Sequence, residues 1–206
     1  MKKNIIFDQD GTLVNIEPVF IKILNALAPE FGYAPLLPEE ISGLKKFHLK
    51  TLIWKRLGMR IFLFPLILKR GREEYHKLIP EVQIFSGIKE LIDTLRAHGC
   101  SIGIVSSSRE DTISALMEKF DIHMDFIYQC DLFSKARTLK QVLKERAFSL
   151  SDTIYIGDEV RDIESCKKIS LDILSVTWGL NSKEGLIEAG AETVDTREEL
   201  LSRLLQ

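Results

Sequence analysis

Ile5-Ile6-Phe7-Asp8-Gln9-Asp10-Gly11-Thr12-Leu13 runs three apolar residues straight into two carboxylates one residue apart, with a glycine and a threonine behind them. The apolar half reads as a short strand buried on both faces, as strands of parallel sheets are. It stops at the carboxylates, and ligands of open α/β sheets bind at the carboxyl ends of strands. Strand alternation sends Asp8 and Asp10 to the same side. Carboxylates that close repel unless a proton or a cation lies between them. A divalent metal with oxygen ligands, such as Mg²⁺, meets that need. Asp-x-Asp-Gly also occurs in plain turns and calcium loops. A calcium loop wants a further acidic ladder and a closing glutamate, which Thr12-Leu13-Val14-Asn15-Ile16 does not supply.

Further strands follow the same plan. Ile102-Gly103-Ile104-Val105, Phe126-Ile127-Tyr128, Thr153-Ile154-Tyr155-Ile156 and Ile173-Leu174-Ser175-Val176 are short apolar runs. Helical patterns separate them: Ile88 to His98 with Gly99 as its cap, a helix opened by Arg109-Glu110-Asp111, Ala136 to Arg146, and Val160 to Ile169. Strands alternating with helices of this length predict βαβ units and a parallel sheet. A helix, a short strand and a helix close the chain.

From Pro18 to about Glu81 the alternation breaks and the pattern is helical throughout. Pro18 suits a first helical position. Val19, Phe20, Ile23, Leu24 and Leu27 form an apolar face at helical spacing, and Pro29 is expected to end that helix. Leu44, Phe47, Leu52, Ile53 and Leu57 predict another, closed by Gly58. The Ile61–Leu68 run reads as a buried helix or a helix pair's contact face, with a membrane-surface or dimer contact as the alternative. It falls short of the roughly 20 residues that span a bilayer. The stretch reads as an insertion placed directly after the first strand.

Three more strand ends carry polar residues. Ser106 follows Val105, and a serine with free N–H groups at a helix start makes an anion site; either of Ser106 and Ser107 would equally serve as a helix N-cap. Lys135 opens a helix, where a cation opposes the helix dipole. Asp158 ends the Ile156-Gly157 strand, and Asp162 lies four residues on, on the same side of the starting helix.

Taken in order, these residues resemble the motifs of the haloacid dehalogenase superfamily of phosphotransferases. Asp8-x-Asp10-Gly11-Thr12 is similar to the first, Ser106 to the second, Lys135 to the third and Gly157-Asp158-x-x-x-Asp162 to the fourth. The helical insertion resembles the α-helical cap of phosphoglycolate phosphatase-like members, and Val176-Thr177-Trp178-Gly179-Leu180 is similar to that branch too. The resemblance implies an α/β fold, with a Rossmann-like parallel sheet core (1–16 and 82–206) and an inserted all-helical cap domain (17–81). It implies Asp8 as the nucleophile attacking phosphorus and Asp10 as the acid that protonates the leaving group, then the base that activates water. Mg²⁺ would be held by Asp8, the Asp10 backbone carbonyl and Asp158. Ser106, Ser107 and Lys135 would bind the phosphoryl oxygens, Gly11 would permit the turn, and Asp162 would orient Lys135 or a metal-bound water. Asp10 separates the chain from relatives that cleave carbon–halogen bonds, since a halide leaves without a proton.

The expected activity is a Mg²⁺-dependent phosphatase for a small-molecule phosphate ester. A phosphomutase of the superfamily and a non-catalytic binding relative are the competing readings. Lys45, Lys46, His48, Lys50, Lys55 and Arg56 are the basic candidates in the insertion for reading a substrate carboxylate. With 28 basic and 30 acidic residues, a net charge of −2 and no basic patch, nucleic acid is not expected as a partner. The apolar stretch before Asp8 is too short for a signal peptide core. Cys100, Cys130 and Cys166 form neither metal spacing nor a disulfide framework. The expectation is a cytoplasmic monomer or homodimer without a membrane segment.

Overall fold

Six parallel strands form one sheet in the order Phe126–Gln129, Ser101–Ser106, Asn4–Phe7, Thr153–Gly157, Asp172–Val176, Glu192–Val194. The structure is a computed structural model and describes residues 2–40, 58, 63–132 and 134–206. The strands are β1 (Asn4–Phe7), β4 (Ser101–Ser106), β5 (Phe126–Gln129), β6 (Thr153–Gly157), β7 (Asp172–Val176) and β8 (Glu192–Val194). Helices α3 (Ile88–Ala97), α4 (Glu110–Lys119), α5 (Lys135–Glu145), α6 (Val160–Lys167), α7 (Lys183–Glu188) and α8 (Arg197–Leu205) connect or follow them. This is the expected Rossmann-like α/β architecture.

Register builds the site. Phe7 pairs with Ile104 on one side and Ile156 on the other. The residues after these three strands therefore emerge side by side: Asp8 after β1, Ser106 at the end of β4, Asp158 after β6. The chain adds strands on both sides of β1, which makes this edge the switch point where open α/β sheets bind ligands. Ile5, Ile6 and Phe7 are fully buried. Ile5 and Phe7 face one apolar layer with Ile102, Ile104 and Leu91. Ile6 faces the other, with Val105, Leu139 and Tyr155.

Gly103 shows how tightly that sheet is packed. A Cβ there would lie 2.2 Å from the Phe126 ring. The ring has little room to retreat, because Phe148 sits 5.8 Å from it and the Arg146 guanidinium stacks at 4.2 Å. Gly103→Ala is expected to destabilise the protein by about 1–3 kcal/mol through overpacking, read as a lower urea midpoint at unchanged slope.

The stretch between β1 and α3 differs from its sequence reading in detail. Helix α1 (Glu17–Phe31) runs through Pro29 and ends at Gly32, whose φ is 71°. Pro29 gives up its own bond back into the helix, yet two further helical residues follow it, and the left-handed Gly32, whose N–H bonds to the Ala28 carbonyl, makes the stop. Helix α2 (Phe64–Leu78) begins with Pro65 in its first turn, so this proline starts the helix inside the apolar run. Lys69, Arg70, Gly71 and Arg72 lie within that helix, with Arg70 bridging Glu30 of α1 and Glu73. Two short strands, β2 (Val14–Asn15) and β3 (Gln83–Ile84), pair antiparallel on either side of this stretch, a ribbon that two-residue segments did not announce. The helix expected over 44–57, and with it Lys45, Lys46, His48, Lys50, Lys55 and Arg56, lies outside the described residues. No described helix is long and apolar enough to cross a membrane.

Candidate active site

Strand β1 stops at Phe7, so Asp8, Gln9 and Asp10 form a turn beyond it, and strand alternation does not extend to the two carboxylates. They take different partners. Asp8, 1% exposed, accepts the Gln9 backbone N–H at 2.8 Å through Oδ1 and the Lys135 ammonium at 2.6 Å through Oδ2. Burial pushes its carboxyl up, but the charges of Lys135 and Arg161 outweigh that and hold it below the usual range. Asp10 accepts the Tyr75 hydroxyl at 2.5 Å on Oδ1 and the Ser108 hydroxyl at 2.5 Å on Oδ2, with the Gln9 amide 3.2 Å from Oδ1. Burial raises the Asp10 carboxyl against these donors.

Lys135 answers the oddity of a cation at a helix start. It is buried at the first residue of α5, bonded to Asp8 and, at 2.5 Å, to Asp162 Oδ1, and it lies 5.2 Å from the Tyr155 ring centre. Burial alone would lower its pKa; Asp162 and Asp8 raise it instead. The Asp162 carboxyl is pushed up to about 6, by burial first, with Lys135 opposing. Its Oδ2 accepts the Glu159 N–H at 3.2 Å in a reciprocal cap of α6.

Asp158 is fully buried just before that helix. Its Oδ1 accepts the Thr12 hydroxyl at 2.8 Å and its Oδ2 the Leu180 N–H at 2.7 Å. A Cβ on Gly11 (φ 85°) would lie 2.1 Å from Asp158 Oδ2, and one on Gly179 2.3 Å from Asp158 Cβ. Only glycine fits on either flank. Burial, and then the charges of Glu159, Asp8 and Asp162, raise the Asp158 carboxyl well above the usual range. Single oxygens of Asp8, Asp158 and Asp162 lie within 4.8 Å of one another. Buried anionic oxygens at that spacing suit a hard divalent cation.

Ser106 and Ser107 do not cap the following helix: its N-cap is Arg109, without a side-chain bond, while Asp111 accepts the Thr112 N–H. Ser106 Oγ accepts the Ser108 N–H at 3.3 Å, and the Ser107 carbonyl accepts Arg72 of α2 at 3.2 Å.

The structure adds residues that the sequence reading passed over. Ser108 and Tyr75 hold Asp10. Thr12 and the Leu180 N–H hold Asp158, and the Trp178 indole donates to the Thr12 carbonyl at 3.1 Å. Tyr75 and Arg72 come from α2, so the stretch after β1 reaches the site twice. Nothing local marks Tyr75, because its partner lies 65 residues away. Arg161, inside Asp158-Glu159-Val160-Arg161-Asp162, was visible as another cation at a helix start.

Comparison with known proteins supplies the family. A family model described as haloacid dehalogenase-like hydrolase matches residues 5–176. A phosphoglycolate phosphatase from Synechococcus elongatus is 31% identical over 206 residues, covering 98% of this chain and 97% of its own. A phosphorylated carbohydrates phosphatase from Thermotoga maritima is 22% identical, covering 97% of each chain. In fold, a haloacid dehalogenase-like hydrolase from Streptococcus pneumoniae superimposes with a TM-score of 0.83 at 23% identity, over 100% of this chain and 99% of its own. The chain belongs to the haloacid dehalogenase-like hydrolases, as a phosphatase acting on phosphoric monoesters. Phosphatases of this superfamily generally use a divalent metal, and the buried aspartates provide a place for one.

Proposed function

We propose that the chain hydrolyses a small-molecule phosphate monoester with Mg²⁺, through an aspartyl-phosphate on Asp8. The observation that carries this is the asymmetry between the carboxylates: Asp8 is held ionised by Lys135, and Asp10, two residues on, is held apart by two hydroxyls with its carboxyl raised. Such a pair divides nucleophile from acid and base. An Asp8 oxygen attacks phosphorus while the ester P–O bond breaks and Asp10 gives its proton to the leaving alkoxide. Asp10, now ionised, takes a proton from the water that attacks phosphorus. The Asp8–phosphoryl bond breaks, releasing inorganic phosphate and restoring the Asp8 carboxylate. Lys135, Ser106 and Ser107 bind the phosphoryl oxygens, and Gly11 keeps the turn clear of Asp158.

Asp8, Asp158 and the Asp10 backbone carbonyl would hold Mg²⁺. When bound, Mg²⁺ screens Asp8 from the incoming phosphate and neutralises charge during transfer. Asp162 orients Lys135, since both of its oxygens are already engaged. Gly179→Ala is expected to displace Asp158 and weaken Mg²⁺ binding about tenfold or more, measured by isothermal titration without substrate.

Residues 17–81 act as a cap over the core of 1–16 and 82–206. The contacts of Tyr75 with Asp10 and of Arg72 with Ser107 support that reading. The names of the relatives support a phosphoglycolate-like substrate, and the enzyme works in the cytoplasm as a monomer or homodimer. The test is phosphate release from a panel of phosphorylated metabolites, phosphoglycolate among them, with Mg²⁺ and with EDTA. Mg²⁺-dependent release is expected. A hexose 1-phosphate isomerised without phosphate loss would turn the assignment to a mutase.

A further inference from the structure

Arg161 is a second, part-buried cation at this site, and its hydrogen bonds are incomplete. It lies in the first turn of α6, where its charge opposes the helix dipole. Nη2 bonds to the buried Glu159 carboxylate and lies 3.5 Å from the Ser107 hydroxyl. Nε and Nη1 are out of solvent, with no acceptor among the described residues. Leaving buried donors unsatisfied is costly, and most in native proteins find a partner. The guanidinium reaches the Ser107 turn after β4, and it lies near enough to the nucleophile for its charge to help hold Asp8 ionised and to act on Lys135 and Asp162.

Lys135 is already committed to two carboxylates. That leaves Lys135 one N–H for a phosphoryl group with several oxygens to satisfy, and among the described residues Arg161 is the nearby cation with orphaned donors. Its planar fork offers two parallel N–H groups, the geometry that suits two oxygens of one phosphoryl group. We propose that Arg161 is a phosphoryl-binding residue, bringing the edge made by its orphaned Nη1 and by Nη2, which now lies against Ser107, onto two oxygens of the ester and then of product phosphate. This rests on the phosphatase reading above. Glu159 keeps the guanidinium in place between turnovers and caps the helix, so each residue has one task before the ligand arrives and Arg161 has a second after it.

The test is isothermal titration of inorganic phosphate into Mg²⁺-loaded protein, together with steady-state ester hydrolysis. Arg161→Gln alone leaves Glu159 buried without its cation, so Glu159→Gln/Arg161→Gln is made as well, which removes both charges and keeps a capping oxygen. The double variant is expected to lose phosphate affinity by about 10- to 100-fold, the worth of a charge-assisted bidentate bond. Arg161→Lys, with charge but no fork, is expected to lie between it and wild type. A double variant binding phosphate as wild type does, in an enzyme that still hydrolyses esters, overturns the role of Arg161 and leaves the phosphatase reading standing. Unchanged phosphate affinity with a raised KM for the ester also overturns it, placing Arg161 on the other end of the substrate. Wild type that neither binds phosphate nor releases it overturns both.

Discussion

Asp8→Asn is expected to leave a folded protein that releases phosphate slower by a factor on the order of 10⁴–10⁶, the cost of losing a nucleophile. The substitution keeps the shape and the oxygen that accepts the Gln9 N–H. It removes one of the two carboxylates on Lys135, but Asp162 remains at 2.5 Å to hold that ammonium. It also takes one negative charge from a cluster in which the Asp158 carboxyl is already raised by its neighbours. Loss of a Lys135 partner and relief of repulsion oppose each other, so thermal unfolding is expected to change little while turnover disappears. Circular dichroism melts beside phosphate release on the preferred ester check both halves. Turnover within tenfold of wild type would remove Asp8 from the nucleophile's role.

Lys135→Met should act mainly on the fold. The ammonium is the cation bonded to both Asp8 and Asp162, and all three groups are at most 3% exposed. Deleting it strands two buried carboxylates beside Asp158, with Arg161 as the remaining nearby cation among the described residues. Breaking a buried pair in this way costs about 3–5 kcal/mol. Without a divalent ion the variant is expected to lose that much in urea denaturation, and Mg²⁺ is expected to restore part of it, because the ion replaces some of the missing positive charge. The Mg²⁺-induced gain should therefore exceed that of wild type. A variant as stable as wild type in EDTA would contradict the electrostatic account of the cluster. Lys135→Arg is no safe control, since the longer planar group does not fit a point-charge site.

The sheet and the candidate site were legible for one physical reason: both are local. Each strand is a short apolar run cut off by a polar residue, so Asp8, Ser106 and Asp158 could be read as lying at one edge before any register was known. Lys135 was legible only as an anomaly, a cation at a positive helix end, and its two carboxylates explain the anomaly. Arg161 carries the same mark and the same explanation in part. The side chains that complete the site were not legible, because their partners are distant in the chain: Tyr75 with Asp10, Arg72 with Ser107, Leu180 with Asp158. The ribbon of β2 and β3 was hidden by its length, since two residues carry no periodicity. Pro29 misled because a proline disfavours a helix without forbidding one, and here the left-handed Gly32 sets the end.

The measurement that bears most directly on the central claim is the fate of the phosphoryl group on the enzyme. Mg²⁺-loaded protein turning over its preferred ester is quenched in acid, digested and mapped by mass spectrometry, beside an Asp10→Asn variant in which hydrolysis of the intermediate should be slowed. A phosphoryl group on the peptide carrying Asp8, more abundant in Asp10→Asn and absent from Asp8→Asn, is the predicted result. Ester hydrolysis with no phosphoryl group on that peptide in either protein, or with one on another residue, would contradict the account.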